Sequence, residues 1–512
     1  MVRDLVAGID SSTQSCTVLL RRLEDGAVLA EARARHPDTT PPLSEHLPQV
    51  WWDALEACLS QLQEHISRIA AISVGGQGHG LVLLDAEDQP LRPAKLWNDT
   101  ESAPDAERLL ALKPADEWAR RTGSIPAPAL TVSKLAWTER NHPGLIARAR
   151  RVMLPCDYIV YRLSGNSVTE RGGSSGTGYF NPFENRWDLE LADLAVPLST
   201  WRSKLPEIIS SDAQAGSVRA SANLGQLEGA VVAAGTGDNM SAALGLGLRE
   251  GDTVISLGTS GTIYGRTSIG ARDASGAING YADAAGAFLP MVTTLNAAKV
   301  TDAVRRLLDV PVNTFDELVL SAPAGSGGLV MVPYFDGERC PNLPQATGTL
   351  RGLRTVMTRA SLARAAVEGV LCGLLEGADL LAKHGVNENG RLILIGGAAR
   401  SRGYRQVLAD LTGRAVWICA QAEAAAAGAA VQAAAALSNT PILEIAAAWA
   451  PSLEIGAHPH PAALAASGAV REAYREAAAE AIPKHASTLA TLSHESSGSA
   501  RHFSPSTFEV SQ

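Results

Sequence analysis

The stretches GIDSSTQS (Gly8 to Ser15) and SLGTSGTIY (Ser256 to Tyr264) are glycine-flanked, hydroxyl-rich turns, one in each half of a 512-residue chain. Each follows a short apolar, β-prone run (Leu5, Val6, Ala7; Val254, Ile255) and precedes another (Thr17 to Leu20; Ile263, Tyr264), the pattern of a strand-turn-strand hairpin. Glycines let the backbone approach a ligand, and successive N–H groups with Ser and Thr hydroxyls form a concavity that suits phosphate oxygens. Neither half contains a GxxxxGK[ST] loop or a GxGxxG turn opening a helix, so the P-loop and dinucleotide-fold readings fail. One such hairpin is ordinarily only a hairpin. The duplication is what points to a phosphate cradle.

Outward from these turns, the length calls for two domains of comparable size with a cleft between them. A hydrophobic content of 46% and a net charge of −9 describe a soluble globular protein and argue against a nucleic-acid surface. The N-terminus lacks the apolar core of a signal peptide, and no apolar run reaches the ~18 residues that cross a bilayer, so a cytoplasmic protein is expected, with no membrane partner. The Ala-rich stretch Ala422 to Leu437, interrupted by Glu423, Gly428 and Gln432, fits a closely packed interior helix. The six cysteines are scattered without metal-ligand spacing and read as reduced core thiols.

Residues 1–244 alternate β-prone runs (5–9, 16–20, 69–74, 81–84) with amphipathic stretches (50–65, 104–121, 131–141), an α/β pattern. Residues 245–482 restart the cycle with the second hairpin, strand-like runs at 329–333 and 392–395, and helical patterns at 359–384 and 403–413. Two similar α/β domains follow, joined through the Gly- and Ala-rich segment 235–247. Residues 483–512 turn to Ser, Thr, His and Pro and read as a mobile tail.

Asp10 ends the first apolar run beside Ser11, Ser12 and Thr13, which would place a carboxylate where a phosphate-bound Mg²⁺ needs one; closing the turn through its own backbone is the other reading. Asp238, next to Asn239 on a Gly-rich bend, is either a helix cap or a base that takes a proton from an attacking hydroxyl. Gln77, His79, Trp97, Asn98, Asp99 and Glu101 make a list of amides, carboxylates and an indole such as a sugar pocket uses, although each alone also suits a structural role. Gly396 and Gly397 lie between a strand and a helix, where a nucleoside can rest on backbone.

With these residues assembled, the chain resembles the FGGY family of carbohydrate kinases over roughly residues 4–480. The resemblance rests on the two hairpins and, in order, GQGHGLVLLD, LWNDTES, TVSKLAW with Lys134 and Trp137, LPCDYIVYRLSG, AAGTGDNMSAALGLG, VPYFDGERCP, GTLRGL and IGGAARSRGYRQVLADLTG. It implies two actin-like ATPase domains of the ribonuclease H-like, hexokinase type, with a catalytic cleft between them. ATP with Mg²⁺ would supply the phosphoryl group, and a small sugar, D-xylulose, would receive it. By similarity Asp238 is the general base and Asp10 the magnesium-side carboxylate. Ser11, Ser12, Thr13, Gly258 and Thr259 go to the phosphates, and Gly396, Gly397 and Ser401 to the nucleoside. Gly78 and His79 go to the sugar, with Asn239 beside the base. A homodimer is also implied. The sequence departs from the family pattern at Gly78, where Met is usual, at the GGAA turn from Gly396 to Ala399, and at Ser361. The alternatives left open are a kinase for ribulose, gluconate or glycerol, and an actin-like ATPase that transfers to no sugar.

Overall fold

In the first of the two hairpins, strand β1 (Leu5–Ser11) is buried at every position but Asp10, because it lies mid-sheet and is covered on both faces. A computed structural model describes residues 3–220, 225–387, 389–419 and 423–495. Strand β1 pairs antiparallel with β2 (Ser15–Arg22), which pairs with β3 (Val28–Arg35). On its other side β1 runs parallel to β4 (Ile69–Gly76). The sheet continues through β5 (Gln214–Ser217) and β6 (Val231–Ala233) in the order β5-β6-β4-β1-β2-β3, with β7 (Thr236–Gly237) also on β4.

The second half repeats this plan. Strand β8 (Thr253–Leu257) turns into β9 (Gly261–Gly265), followed by β10 (Asn279–Ala282), β11 (Phe288–Thr294), β12 (Leu392–Ile395), β13 (Val416–Cys419) and β14 (Leu453–Ala457). Their order is β10-β11-β9-β8-β12-β13-β14. In both sheets a hairpin supplies the central strand, and a parallel strand joins its free edge. Both turns therefore lie at C-terminal ends of parallel strands, where α/β sheets bind ligands.

Between the sheets lie helices α1 (Asp238–Gly245) and α2 (Ala424–Ser438). Their side chains, among them Met240, Leu244, Ala430 and Val431, share one apolar cluster with Val6 and Ala71 of the first sheet and Val254 and Ile393 of the second. The approach is backbone on backbone. A Cβ on Gly428 would sit 1.7 Å from the Ser241 carbonyl oxygen, one on Gly245 2.0 Å from that of Ala424, and one on Gly8 1.9 Å from that of Ala426. The fully buried Gln432 stitches α2 to the first half: it accepts from Ser73 Oγ (2.6 Å) and donates to the carbonyls of Ser211 (2.7 Å) and Gly235 (3.0 Å). The described part of the Ala-rich stretch is thus an interior helix, and no helix among the described residues is long and apolar enough to cross a membrane.

Three regions differ from the sequence reading. The stretch 104–121 is two helices, Ala103–Leu112 and Ala115–Thr122, because Pro114 holds Lys113 extended. Strands β10 and β11 carry Asn279, Gly280 and Pro290, residues that mask β periodicity. The last helix, Pro461–Glu495, runs past residue 483; residues 496–512 of the expected tail lie outside the described residues.

Gly428→Ala is expected to lower the unfolding free energy by at least about 2 kcal/mol in chemical denaturation, since its methyl group meets backbone that has nowhere to move. Gly468→Ala, on the exposed last helix with nothing near its Cβ, should leave stability unchanged or raise it by up to about 1 kcal/mol.

Candidate active site

Strand register brings the two singled-out carboxylates into one cleft. Asp10 of β1 lies beside Gly75 of β4, and Gly75 lies beside Thr236 of β7, two residues before Asp238. Neighbouring strands are about 4.8 Å apart, so Asp10 and the strand that leads into Asp238 are separated by about 10 Å. The two groups feel each other. Burial raises the Asp10 carboxyl well above the ordinary range, and the charges of Asp238 and Glu423 raise it further. Asp10 Oδ1 has no hydrogen-bond partner. An orphaned, buried carboxylate oxygen is the kind of single protein ligand through which Mg²⁺, keeping most of its waters, is held, so Asp10 fits that role.

Asp238 begins α1 and is partly open to the cleft. Its Oδ1 accepts from the Asn239 backbone (2.7 Å) and side-chain amide (2.8 Å). Burial pushes its carboxyl up to about 6, and the two Asn239 hydrogen bonds limit the rise. Behind it, the buried Glu170 accepts from the backbone N–H groups of Gly172 (2.8 Å) and Gly173 (2.6 Å), from Ser211 Oγ (2.9 Å) and from Thr236 Oγ1. Glu170 thereby fixes the strand from which Asp238 projects.

Ser11, Ser12 and Thr13 form the first turn as read. The Ser12 N–H closes the turn on the Ser15 carbonyl (3.1 Å), and Thr13 Oγ1 accepts from the indole of Trp97 (2.8 Å), tying this turn to the LWNDTES loop. Gln77 donates its backbone N–H to Ser11 (3.0 Å), while neither polar atom of its buried side chain has a partner. Asn98 Oδ1 is likewise unpartnered. His79 sits at φ 65°, an unusual conformation for a residue other than glycine, with Nδ1 2.9 Å from the Gly176 carbonyl. That contact places the ring proton on Nδ1 and leaves Nε2 as an acceptor. Burial, with smaller contributions from the charges of Arg339 and Lys134, pushes His79 down to about 3, so the ring is neutral at physiological pH. A Cβ on Gly78 would meet nothing within 4 Å, so the missing side chain leaves open space.

Three expected ligands, Asp99, Glu101 and Ser401, are otherwise engaged. Asp99 is fully buried; its Oδ2 accepts from the Ser44 N–H (2.9 Å) and Lys95 Nζ (3.0 Å), and its Oδ1 from the Glu101 N–H (3.2 Å). With Glu45 and Glu101 it surrounds the buried Lys95 ammonium, which also stands 3.8 Å from the Trp137 ring centroid, so this acidic trio already holds a cation. Ser401 caps the following helix through Tyr404 N–H and donates to Asp316. Gly258, Thr259, Gly396 and Gly397 are exposed together at the ends of β8 and β12. Gly396 lies against the Leu257 carbonyl at φ 84°, where a Cβ would come within 2.5 Å, while nothing stands near Gly397.

The structure adds residues that the sequence reading missed. The fully buried Tyr264 of the second hairpin has an unpartnered hydroxyl whose ionisation is opposed by burial and by the charge of Asp238. Tyr281 stacks on His79 at 5.2 Å. Lys134, inside a quoted motif but given no role, is fully buried, donates to the carbonyls of Pro128 (2.6 Å) and Ala129 (2.7 Å), and is pushed down to about 7 by burial. Arg339 lay unremarked in VPYFDGERCP.

Comparisons with known proteins agree with this geometry. The models of the FGGY family of carbohydrate kinases match as an N-terminal domain over residues 5–245 and a C-terminal domain over 253–437. A xylulose kinase of Streptomyces rubiginosus is 42% identical over 87% of this chain and 90% of its own. The solved xylulose kinase of Bifidobacterium adolescentis is 34% identical, with a TM-score of 0.80 over 93% of this chain and 99% of that one. A Plasmodium falciparum glycerol kinase, 18% identical, shares the fold alone, with a TM-score of 0.81 over 93% of this chain and 98% of its own. On its sequence and on the doubled α/β fold, consistent with the actin-like ATPase type, the chain belongs to the FGGY family of carbohydrate kinases and is a sugar kinase.

Proposed function

We propose that this kinase transfers the γ-phosphoryl group of ATP to the C5 hydroxyl of D-xylulose, giving D-xylulose 5-phosphate, with Asp238 as general base. The observation that carries the reading is that Asp238 bears both on Asp10, at the first phosphate turn, and on Tyr281, the ring stacked on His79. The relatives named xylulose kinase support the choice of acceptor.

The Asp238 carboxyl, at about 6, is ionised at physiological pH yet basic enough to accept a proton from the attacking hydroxyl. Asn239 occupies Oδ1, so Oδ2 takes that proton. Neutral His79 accepts from a sugar hydroxyl through Nε2, and the unpartnered Gln77 amide offers both a donor and an acceptor. Ser11, Ser12, Thr13, Gly258 and Thr259 would take the phosphates, while Gly396 and Gly397 would bear the nucleoside. Asp10 would hold Mg²⁺, which supplies charge neutralisation on the phosphates. Approach of the two halves would keep water from competing with the sugar. We assign the enzyme to the cytoplasm as a homodimer on family resemblance alone. The space beside Gly78 supports a second reading in which another ketose or polyol is preferred.

An ADP-release assay with Mg-ATP and D-xylulose, D-ribulose, L-ribulose, gluconate or glycerol, with a no-sugar control, distinguishes these readings. D-Xylulose is expected to stimulate ADP release most; a larger response to another acceptor replaces the substrate, and sugar-independent turnover contradicts a transferase. The rate with D-xylulose should fall about tenfold per pH unit below about pH 6, as Asp238 takes up its proton. Stability should run the other way. The folded-state value, raised from 3.8, means that the stability contributed by the neutral carboxyl is complete below 3.8 and lost as pH rises through about 6. Relative to wild type, Asp238→Asn should therefore gain on the order of 3 kcal/mol between acid pH and pH 7 in denaturant titrations. It should also lose sugar phosphorylation.

A further inference from the structure

Beyond β11 the chain crosses a short strand, Val330–Val332, and enters the loop that contains Glu338 and Arg339. Glu338 is buried and accepts four hydrogen bonds: Oε1 from the N–H groups of Leu295 (2.8 Å) and Arg339 (2.7 Å), Oε2 from Thr294 Oγ1 (2.6 Å) and Asn296 Nδ2 (2.8 Å). Asn296 also donates to the Gly337 carbonyl (2.7 Å), and Glu338 and Leu343 exchange backbone hydrogen bonds at 2.9 Å. Thr294 in turn pairs with Gly261 of the second hairpin. A buried carboxylate thus fixes the backbone of a loop whose next residue is a half-exposed arginine.

That arginine faces the acceptor pocket of the other half. Its guanidinium lies against the phenol of Tyr281, the ring stacked on His79, and its charge bears on both His79 and Lys134. Among the described residues it has no carboxylate partner at ion-pair distance. Tyr281 feels Asp238 as well as Arg339, whereas the carboxyl of Asp238 is governed chiefly by burial and Asn239. Arg339 thus acts on the His79–Tyr281 stack and is not among the influences on Asp238.

We propose that Arg339 binds the carbonyl end of the acceptor and makes the enzyme selective for a ketose over the corresponding alditol. The proposal rests on the D-xylulose reading. A five-carbon ketose with its C5 hydroxyl at Asp238 presents C1 and C2 to the opposite end. A guanidinium offers donors only. A carbonyl oxygen accepts them and has no proton of its own to place, whereas the C2 hydroxyl of an alditol must also find an acceptor for its hydrogen beside a cation. Sites that match such polar groups reject the mismatched analogue strongly.

The test is steady-state kinetics of wild type, Arg339→Ala and Arg339→Lys with D-xylulose and with xylitol, reading xylitol as a competitive inhibitor if its turnover is too slow. Arg339→Ala should lower kcat/KM for D-xylulose by roughly 100-fold, mostly through KM, while xylitol changes by less than about threefold, so that the discrimination collapses. Arg339→Lys should recover part of it. Equal losses for both acceptors, or an unchanged D-xylulose KM, would overturn the proposal. If Arg339→Ala does not fold, Arg339→Lys and Arg339→Gln measure the same ratio. A wild-type enzyme that fails to use D-xylulose would overturn the reading beneath the proposal, and this would be seen before any variant is made.

Discussion

The close packing of α1 against α2 between two sheets is the constraint on which the rest of the molecule depends. Each helix meets its neighbour through backbone, at Gly245 and Gly428, and α2 meets β1 at Gly8. No side chain larger than hydrogen fits at these three points, and the alanines around them keep the gap narrow over the whole of α2. The contact has a chemical consequence, because α1 begins with Asp238 and β1 carries Asp10. Glycine contacts that hold the two halves together therefore also hold the two carboxylates in one cleft.

Electrostatics then sets what the cleft can do. Asp238 and Glu423 are close enough to raise the Asp10 carboxyl further, and only the largely exposed Arg33, 3.7 Å from Glu423, works against them. Elsewhere in the first half Lys95 neutralises the trio of Glu45, Asp99 and Glu101 and makes it structural. Both are acidic, but only one encloses a buried cation. The difference is a single buried ammonium, which closes one cluster while the other keeps an unpaired oxygen. Perturbed groups of the second kind are where a charged ligand gains most from binding.

This contrast marks what the sequence made legible. Both hairpins were readable because glycine and hydroxyl residues interrupt short apolar runs, and that signal is local. Asp10 and Asp238 were readable as candidates because each ends such a signal. Asp99 was not separable from Gln77 and Asn98, since its partners Ser44 and Lys95 are fixed only by the folded loop. Ser401 has the residue type of a ligand and the geometry of a helix cap. Tyr264, Tyr281 and Arg339 were invisible for a different reason: their importance comes from second-half segments meeting Asp238 and His79 of the first half, a contact no spacing rule encodes. Strands β10 and β11 were hidden because Asn279, Gly280 and Pro290 read as breakers until a neighbouring strand pairs with them.

The central claim is that one carboxylate, Asp238, directs the phosphoryl group to a sugar hydroxyl instead of water. Phosphorus NMR of a reaction containing Mg-ATP and D-xylulose tests this directly, since it shows which oxygen carries the transferred phosphorus. Wild-type enzyme should give a phosphomonoester coupled to the C5 protons, and Asp238→Ala should give none while still binding ATP. Inorganic phosphate as the main product of the wild type, or an undiminished sugar phosphate signal from the variant, would contradict the account.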